Sequence, residues 1–249
     1  MATRSFHALV LGGTGAVGSA MVRLLAKDPA RIAFTYHGND ALAADLCRQT
    51  GAIAVQSDLG AADATVDAVR SACDQLGGLD ALVHCAAICL SPGDAVSETS
   101  VQKIGDIHEA GWDRLMAINV KSVFFAVQAA LPYLRARGGG NIVLFSSIGV
   151  VKPTPSPVIY MASKSALTGM AHAMAKELGK DNIRVNVVAS GLLESGVSIS
   201  LPRVLRDEYV KHCGYKREGT ADEIAKVATW LARENTYITA QTILVDGAV

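Results

Sequence analysis

Short apolar runs alternate with longer amphipathic segments along the whole chain. The runs "FHALVL" (6–11), "RIAFTY" (31–36), "AIAVQ" (52–56), "LDALVHCA" (79–86), "NIVLFS" (141–146), "NIRVNVVA" (182–189) and "TILVD" (242–246) are of strand length and almost continuously apolar. Helical spacing of apolar positions marks 16–27, 40–50, 62–76, a long stretch from Glu109 to Arg137, a segment carrying Tyr160 and Lys164, and 221–233. Strand then helix, repeated, predicts a parallel sheet buried on both faces, because strands covered on both sides need no polar alternation. No repeat, low-complexity tract or linker divides the chain, so one α/β domain over 1–249 is expected. Two stretches, 89–106 and 192–209, read as flexible. Both follow strands, at the C-terminal edge of the sheet where open α/β folds bind ligands.

Composition narrows the function. At 249 residues, half of them hydrophobic and 18% charged, the chain can build one large core and has little room for disorder. Lys plus Arg and Asp plus Glu both number 23, which leaves no basic surplus for nucleic acid or an anionic membrane. No apolar run approaches the ~20 residues of a membrane span. The start, "MATRSFHALVLGG", lacks the pattern of a signal peptide. The cysteines Cys47, Cys73, Cys85, Cys89 and Cys213 are odd in number and form no CxxC pair. Cys85 and Cys89 lack the further His or Cys that a metal site needs. Reduced thiols, a cytoplasmic location and no metal are expected.

"VLGGTGAVG" (10–18) joins the first strand to the first helix. Gly12, Gly13, Gly15 and Gly18 remove side chains where the backbone turns and where a phosphate can approach. The helix beyond offers free N–H groups and its positive dipole end. As the first βα turn, with Thr14, Ala16 and Val17 completing it, the loop is a dinucleotide-binding candidate, and the fold expectation becomes a doubly wound Rossmann fold with a seven-stranded parallel sheet and helices on both faces. A glycine-rich turn that binds nothing is the alternative. An acidic residue at the end of the second strand would select NAD through the ribose hydroxyls. "IAFTYHGN" (32–39) has none, and Asp40, the first that follows, reads as a helix N-cap. His37 and Asn39 are candidates to meet a 2′-phosphate. The reading is NADP(H), with NAD(H) open.

In "SPVIYMASKSAL" (156–167) Tyr160 and Lys164 are one helical turn apart and share a face. A free phenol, with a pKa of about 10, trades protons poorly near neutral pH. An adjacent ammonium favours the phenolate, so the pair is expected to make a proton donor suited to neutral pH.

These pieces, with Asp58 in "SDL", "HCAAI" (84–88), Asn119 in "INVKSVFF", "SS" (146–147), "NIRVNVVASG" (182–191) and "YITAQTILVDG" (237–247), stand in the order and spacing of the short-chain dehydrogenase/reductase family. The chain resembles that family over essentially its full length, in particular its 3-oxoacyl-carrier-protein-reductase-like members. The resemblance implies that Tyr160 is the general acid/base, Lys164 its partner, Ser147 the holder of the substrate oxygen and Asn119 the anchor of a water in a proton relay. Ser146 is then a bystander. Asp58 and Leu59 would contact adenine, Ala86 and Ala87 with Ile88 would pack near the cofactor ribose, and Gly191 would line the same site. The chain departs from the family at Leu11, Ala16, His84, Cys85, Ala87 and Ser190. Leu11 and His84 are expected to lose hydrogen bonds that brace the cofactor loops.

The resemblance implies an NADP(H)-dependent ketoreductase acting on a small-molecule carbonyl. A carrier-protein or CoA thioester stays open as substrate, although the turns before the fifth and sixth strands present Gly138 and Asp181 beside Arg135, Arg137 and Lys180. NAD-dependent alcohol oxidation and a low-activity scaffold or heteromer subunit are the alternatives. The segments around 109–137 and 160–178 are apolar around most of their circumference and need cover beyond the sheet. The resemblance makes that cover a homotetramer, with a homodimer as the fallback. The alternative cover is the 89–106 loop.

Overall fold

A computed structural model describes residues 5–27, 29–89 and 102–249. Its centre is a seven-stranded, wholly parallel sheet in the order β3-β2-β1-β4-β5-β6-β7. The strands are β1 (Phe6–Leu11), β2 (Ala30–Tyr36), β3 (Ile53–Gln56), β4 (Ala81–His84), β5 (Gly140–Ser147), β6 (Ile183–Ser190) and β7 (Thr242–Val245). Each overlaps an apolar run, with ends shifted by a residue or two.

Alternate strand residues face opposite layers. Leu9 and Leu11 of β1 enter one core with α3 (Ala62–Leu76), α5 (Ser122–Ala136) and α6 (Val158–Leu178). Ala8 and Val10 enter the other, with α1 (Ala16–Leu25), α2 (Asp40–Thr50) and α8 (Ala221–Arg233). Burial on both sides is why these strands carry no polar alternation. The order reverses between β1 and β4, and that switch point opens a crevice at the strands' C-terminal ends.

Three expectations change. The helix expected over 109–137 is α4 (Glu109–Met116) and α5, joined by a π turn at Ala117–Lys121. Together they form an apolar helix, Glu109–Ala136, that is long enough to cross a bilayer by length and composition, although no single apolar run is. Half of its most apolar window is buried in the protein, and α5 packs on α3, β4 and β5. The stretch 192–209 is not an open loop. It holds a bridge from Leu193 to Gly219, a 3-10 turn at Gly196–Ser200 and most of α7 (Arg203–His212). Helix α7 buries no residue fully; Leu205, Tyr209 and Val210 are partly buried on one face. Most of 89–106 lies outside the described residues, so its expected flexibility is not addressed. The N-cap of α2 is Asn39, whose side chain accepts from Leu42 N at 3.1 Å; Asp40 is the first helical residue.

Candidate active site

The glycine loop is built by close approach of backbone to backbone. Gly12 has φ +82°, a conformation that costs glycine little, and a Cβ there would press on the Ala86 backbone at 2.8 Å. A Cβ on Gly13 would meet the Phe34 ring at 2.6 Å. Leu11 cannot supply the hydroxyl that the family's usual Thr provides, yet the loop is braced from β2. Gly12 N donates to Thr35 Oγ1 at 3.1 Å and Gly13 N to Thr35 O at 2.8 Å.

Above the loop lies a cavity of about 540 Å³ that follows the C-terminal edge of the sheet. Gly12, Thr14, Gly15, Ala16 and Val17 line it at α1; His37, Asp58 and Leu59 line it beyond β2 and β3. Ala86, Ala87 and Ile88 continue it from β4. Ser147, Tyr160, Lys164 and Gly191 line the part beside β5, α6 and β6. Leu192, Leu193, Gly196, Val197 and Leu201 add a further wall, from the stretch 192–209 expected at the ligand edge.

Three expected site residues fall elsewhere. Gly18 lies beneath the loop, where a Cβ would overlap the Gly12 carbonyl oxygen; its contribution is packing. Asn39 does not line the cavity, because its side-chain oxygen is committed to capping α2. Asn119 is 1% exposed and also outside the lining. Its Oδ1 accepts from Ile88 N at 2.9 Å, and its Nδ2 donates to Ile88 O at 2.9 Å and Ser163 Oγ at 3.0 Å. That amide braces two segments of the site, and both its N–H donors are used.

Asp58 has a partner that no local pattern announced. Arg114 of α4 grips its carboxylate with Nη1 to Oδ2 at 3.1 Å and Nη2 to Oδ1 at 3.0 Å, and Gly60 N adds a bond at 2.9 Å. Arg114's hydrogen bonds hold the Asp58 carboxyl below its usual pKa.

Lys164, 3% exposed, donates from Nζ to Phe145 O at 2.9 Å, and Nζ stands 5.6 Å from the centre of the Tyr160 ring. Burial pushes the Tyr160 phenol above its ordinary value and pulls the Lys164 ammonium down to about 8. This reverses the expectation of a lowered phenol: desolvation is the largest influence on Tyr160 and moves it upward, which favours the protonated form. Ser146 Oγ donates to Lys164 O at 3.0 Å, a structural bond that fits a bystander. Ser147 Oγ accepts from Gly149 N at 3.3 Å and keeps its own proton to give. Burial pushes the Cys89 thiol up to about 11, so it stays neutral. Among the described residues no group of three or more His, Cys, Asp or Glu is placed to hold a metal.

The cavity's donor set fits a dinucleotide. Helix α1 has no side-chain cap and no acidic residue in its first turn, so its N–H groups are free for phosphate. A Cβ on Gly15 would meet only the Gly12 carbonyl within 4 Å, so open space lies above the loop.

Comparison with known proteins agrees with this geometry. The family model described as Enoyl-(Acyl carrier protein) reductase matches residues 13–249. The chain is 34% identical over 243 residues to the Cyclic-di-GMP-binding biofilm dispersal mediator protein of Escherichia coli K12, covering 96% of this chain and 95% of that one. A short-chain dehydrogenase/reductase from Serratia marcescens superposes with a TM-score of 0.87 at 29% identity, covering 98% of both chains. A short-chain dehydrogenase from Burkholderia cenocepacia, solved in complex with NADP, gives 0.86 at 29% identity, covering 98% of this chain and 97% of that one. The chain belongs to the short-chain dehydrogenase/reductase family of NAD(P)-dependent oxidoreductases.

Proposed function

We propose that this protein reduces a ketone to a secondary alcohol with NADP(H). The observation that carries the reading is one cavity lined by the glycine loop, His37, Ser147, Tyr160 and Lys164. When bound, the nicotinamide cofactor supplies the hydride. The chain's residues do the rest. Tyr160, held protonated by burial, gives its proton to the carbonyl oxygen as negative charge develops there. Ser147 donates a hydrogen bond to the same oxygen. Lys164, poised at about 8, offsets the charge left on the phenolate and can return a proton near neutral pH.

The preference for NADP(H) rests on the end of β2. His37 lines the cavity and no carboxylate from 32–39 does. Asp40, the first residue of α2, is not part of the lining. The bound NADP of the Burkholderia relative supports the same reading. Fluorescence titration should show NADPH binding about tenfold more tightly than NADH, a difference of about 1.4 kcal/mol. Tyr36→Asp or His37→Asp should shift the preference toward NADH. Equal or reversed affinities in the unaltered protein would refute the assignment.

The substrate class we favour is a small carbonyl compound. Of the three cations beside the turns where a carrier protein would bind, Arg135 and Arg137 are already paired, with Asp181 at 2.7 Å and Asp80 at 2.5 Å, and Lys180 is the third. For assembly, we favour a homotetramer. Trp112 of α4, Phe124 of α5 and Val158 of α6 are each more than 40% exposed, and Trp230 and Leu244 mark a second apolar surface. The alternative cover, the 89–106 loop, lies mostly outside the described residues. Light scattering at micromolar concentration should give the mass of four chains; one chain with full activity would contradict this.

A further inference from the structure

The end of β4 carries a buried group that the mechanism above does not use. His84 is 4% exposed, and its Nε2 lies 2.8 Å from Ser122 Oγ. Ser122 is 1% exposed and donates its hydroxyl to Ile118 O at 2.5 Å. The serine proton is therefore spent, and the serine oxygen is the acceptor. His84 must present Nε2–H to it, as the neutral imidazole of that tautomer.

Ile118 lies in the π turn and Ser122 directly follows it. There the Ser122 N–H bonds back to Ala117 O, one residue further than in an α-helix, and the serine hydroxyl takes the Ile118 carbonyl. Such turns are rare and occur frequently at functional sites. Asn119 sits inside this one. Its amide reaches Ile88 on the cavity wall and Ser163 Oγ, and Ser163 in turn donates to Tyr160 O at 2.7 Å. An unbroken run of hydrogen bonds and backbone thus leads from β4 through the π turn to the helical turn bearing Tyr160.

We propose that His84 is a positioning residue: its Nε2–H, through Ser122, pins the π turn and so sets Asn119, Ile88 and the Tyr160 backbone in register with the cavity. The proposal rests on the proposed reductase reading for its kinetic consequence, but not for the clamp itself. Burial and the nearby Lys164 charge keep the imidazole neutral, with a pKa of about 3, consistent with a fixed donor. His84 had been expected to weaken the cofactor loops, and the geometry gives it a bracing role instead.

The test compares His84→Gln, whose amide nitrogen can reach the place of Nε2, with His84→Met, which fills the space without a donor. Hydrogen–deuterium exchange of the NADPH-loaded protein is read at residues 117–123, with melting temperatures as the control for global folding. Exchange there should rise about tenfold in His84→Met and in Ser122→Ala, and return close to the unaltered level in His84→Gln. The double variant His84→Met/Ser122→Ala should be no worse than either single one. With a ketone that the enzyme turns over, kcat should fall about tenfold in His84→Met while the NADPH Kd moves less than about threefold. Unchanged exchange in His84→Met, or full additivity in the double variant, would overturn the clamp. An unaltered protein with no turnover but the predicted exchange pattern would count against the reductase reading and uphold the clamp. Should His84→Met fail to fold, nitrogen NMR of the histidine-labelled unaltered protein decides: a neutral Nε2–H imidazole at His84 upholds the proposal, and a charged ring or the Nδ1–H form overturns it.

Discussion

Tyr160→Phe should lower kcat by about 10³-fold, within the range a positioned general acid contributes, and leave NADPH affinity within about threefold of the unaltered protein. The reasoning is local. The substitution removes one oxygen and keeps the ring, and no other protein group depends on that oxygen among the described hydrogen bonds. What is lost is the proton that burial keeps on the phenol. Ser147 can still polarise the carbonyl, so a residual rate should survive. Steady-state kinetics with a fluorescence titration separate the two effects. Near-normal kcat would remove Tyr160 from the chemistry. A large loss of NADPH binding would show instead that the phenol shapes the cavity.

Gly18→Ala should destabilise the fold by about 3 kcal/mol, the cost of overpacking a site that cannot relax, and abolish measurable NADPH binding. The added Cβ would overlap the Gly12 carbonyl oxygen and sit 2.9 Å from the Gly12 carbonyl carbon and 3.0 Å from Gly13 Cα. All three are backbone atoms, so no rotamer change relieves them. Relief requires α1 to lift from the loop, but α1 is packed on α8 and β1, and its inner residues Met21, Val22 and Leu25 are fully buried. Lifting the helix would also carry Gly15 and the free N–H groups away from the phosphate position. Gly38→Ala is the control: nothing lies within 4 Å of its added Cβ, and the change should stay within about 0.5 kcal/mol. Thermal melting of the two variants checks the contrast; equal melting temperatures would contradict it.

What the sequence made legible follows from locality. The strands were readable because burial on both faces leaves continuous apolar runs. The loop at 10–18 and the Tyr160–Lys164 pair were readable because each is a short pattern on one element. Arg114 was not, because its partner Asp58 is 56 positions away and neither residue's surroundings point to the other. Thr35 was not legible for a similar reason: its hydroxyl reaches Gly12 N from a strand 23 positions further along the chain. The π turn differs from an α-helix by one backbone register, which hydrophobic periodicity does not resolve, and the His84–Ser122 contact depends on that turn. The direction of the Tyr160 shift was misjudged because spacing reports a neighbouring charge and not the depth at which the pair is buried.

Carbonyl reduction inside this cavity is tested most directly by following the transferred hydrogen. The protein would be incubated with NADPH deuterated at the nicotinamide C4 and a panel of β-ketoacyl thioesters, cyclic ketones and quinones, and the products analysed by mass spectrometry. The expected result is a secondary alcohol with deuterium on the former carbonyl carbon for at least one ketone, formed about 10³-fold more slowly with Tyr160→Phe. Tight NADPH binding with no deuterium transferred to any member of the panel would contradict the account and favour a cofactor-binding scaffold.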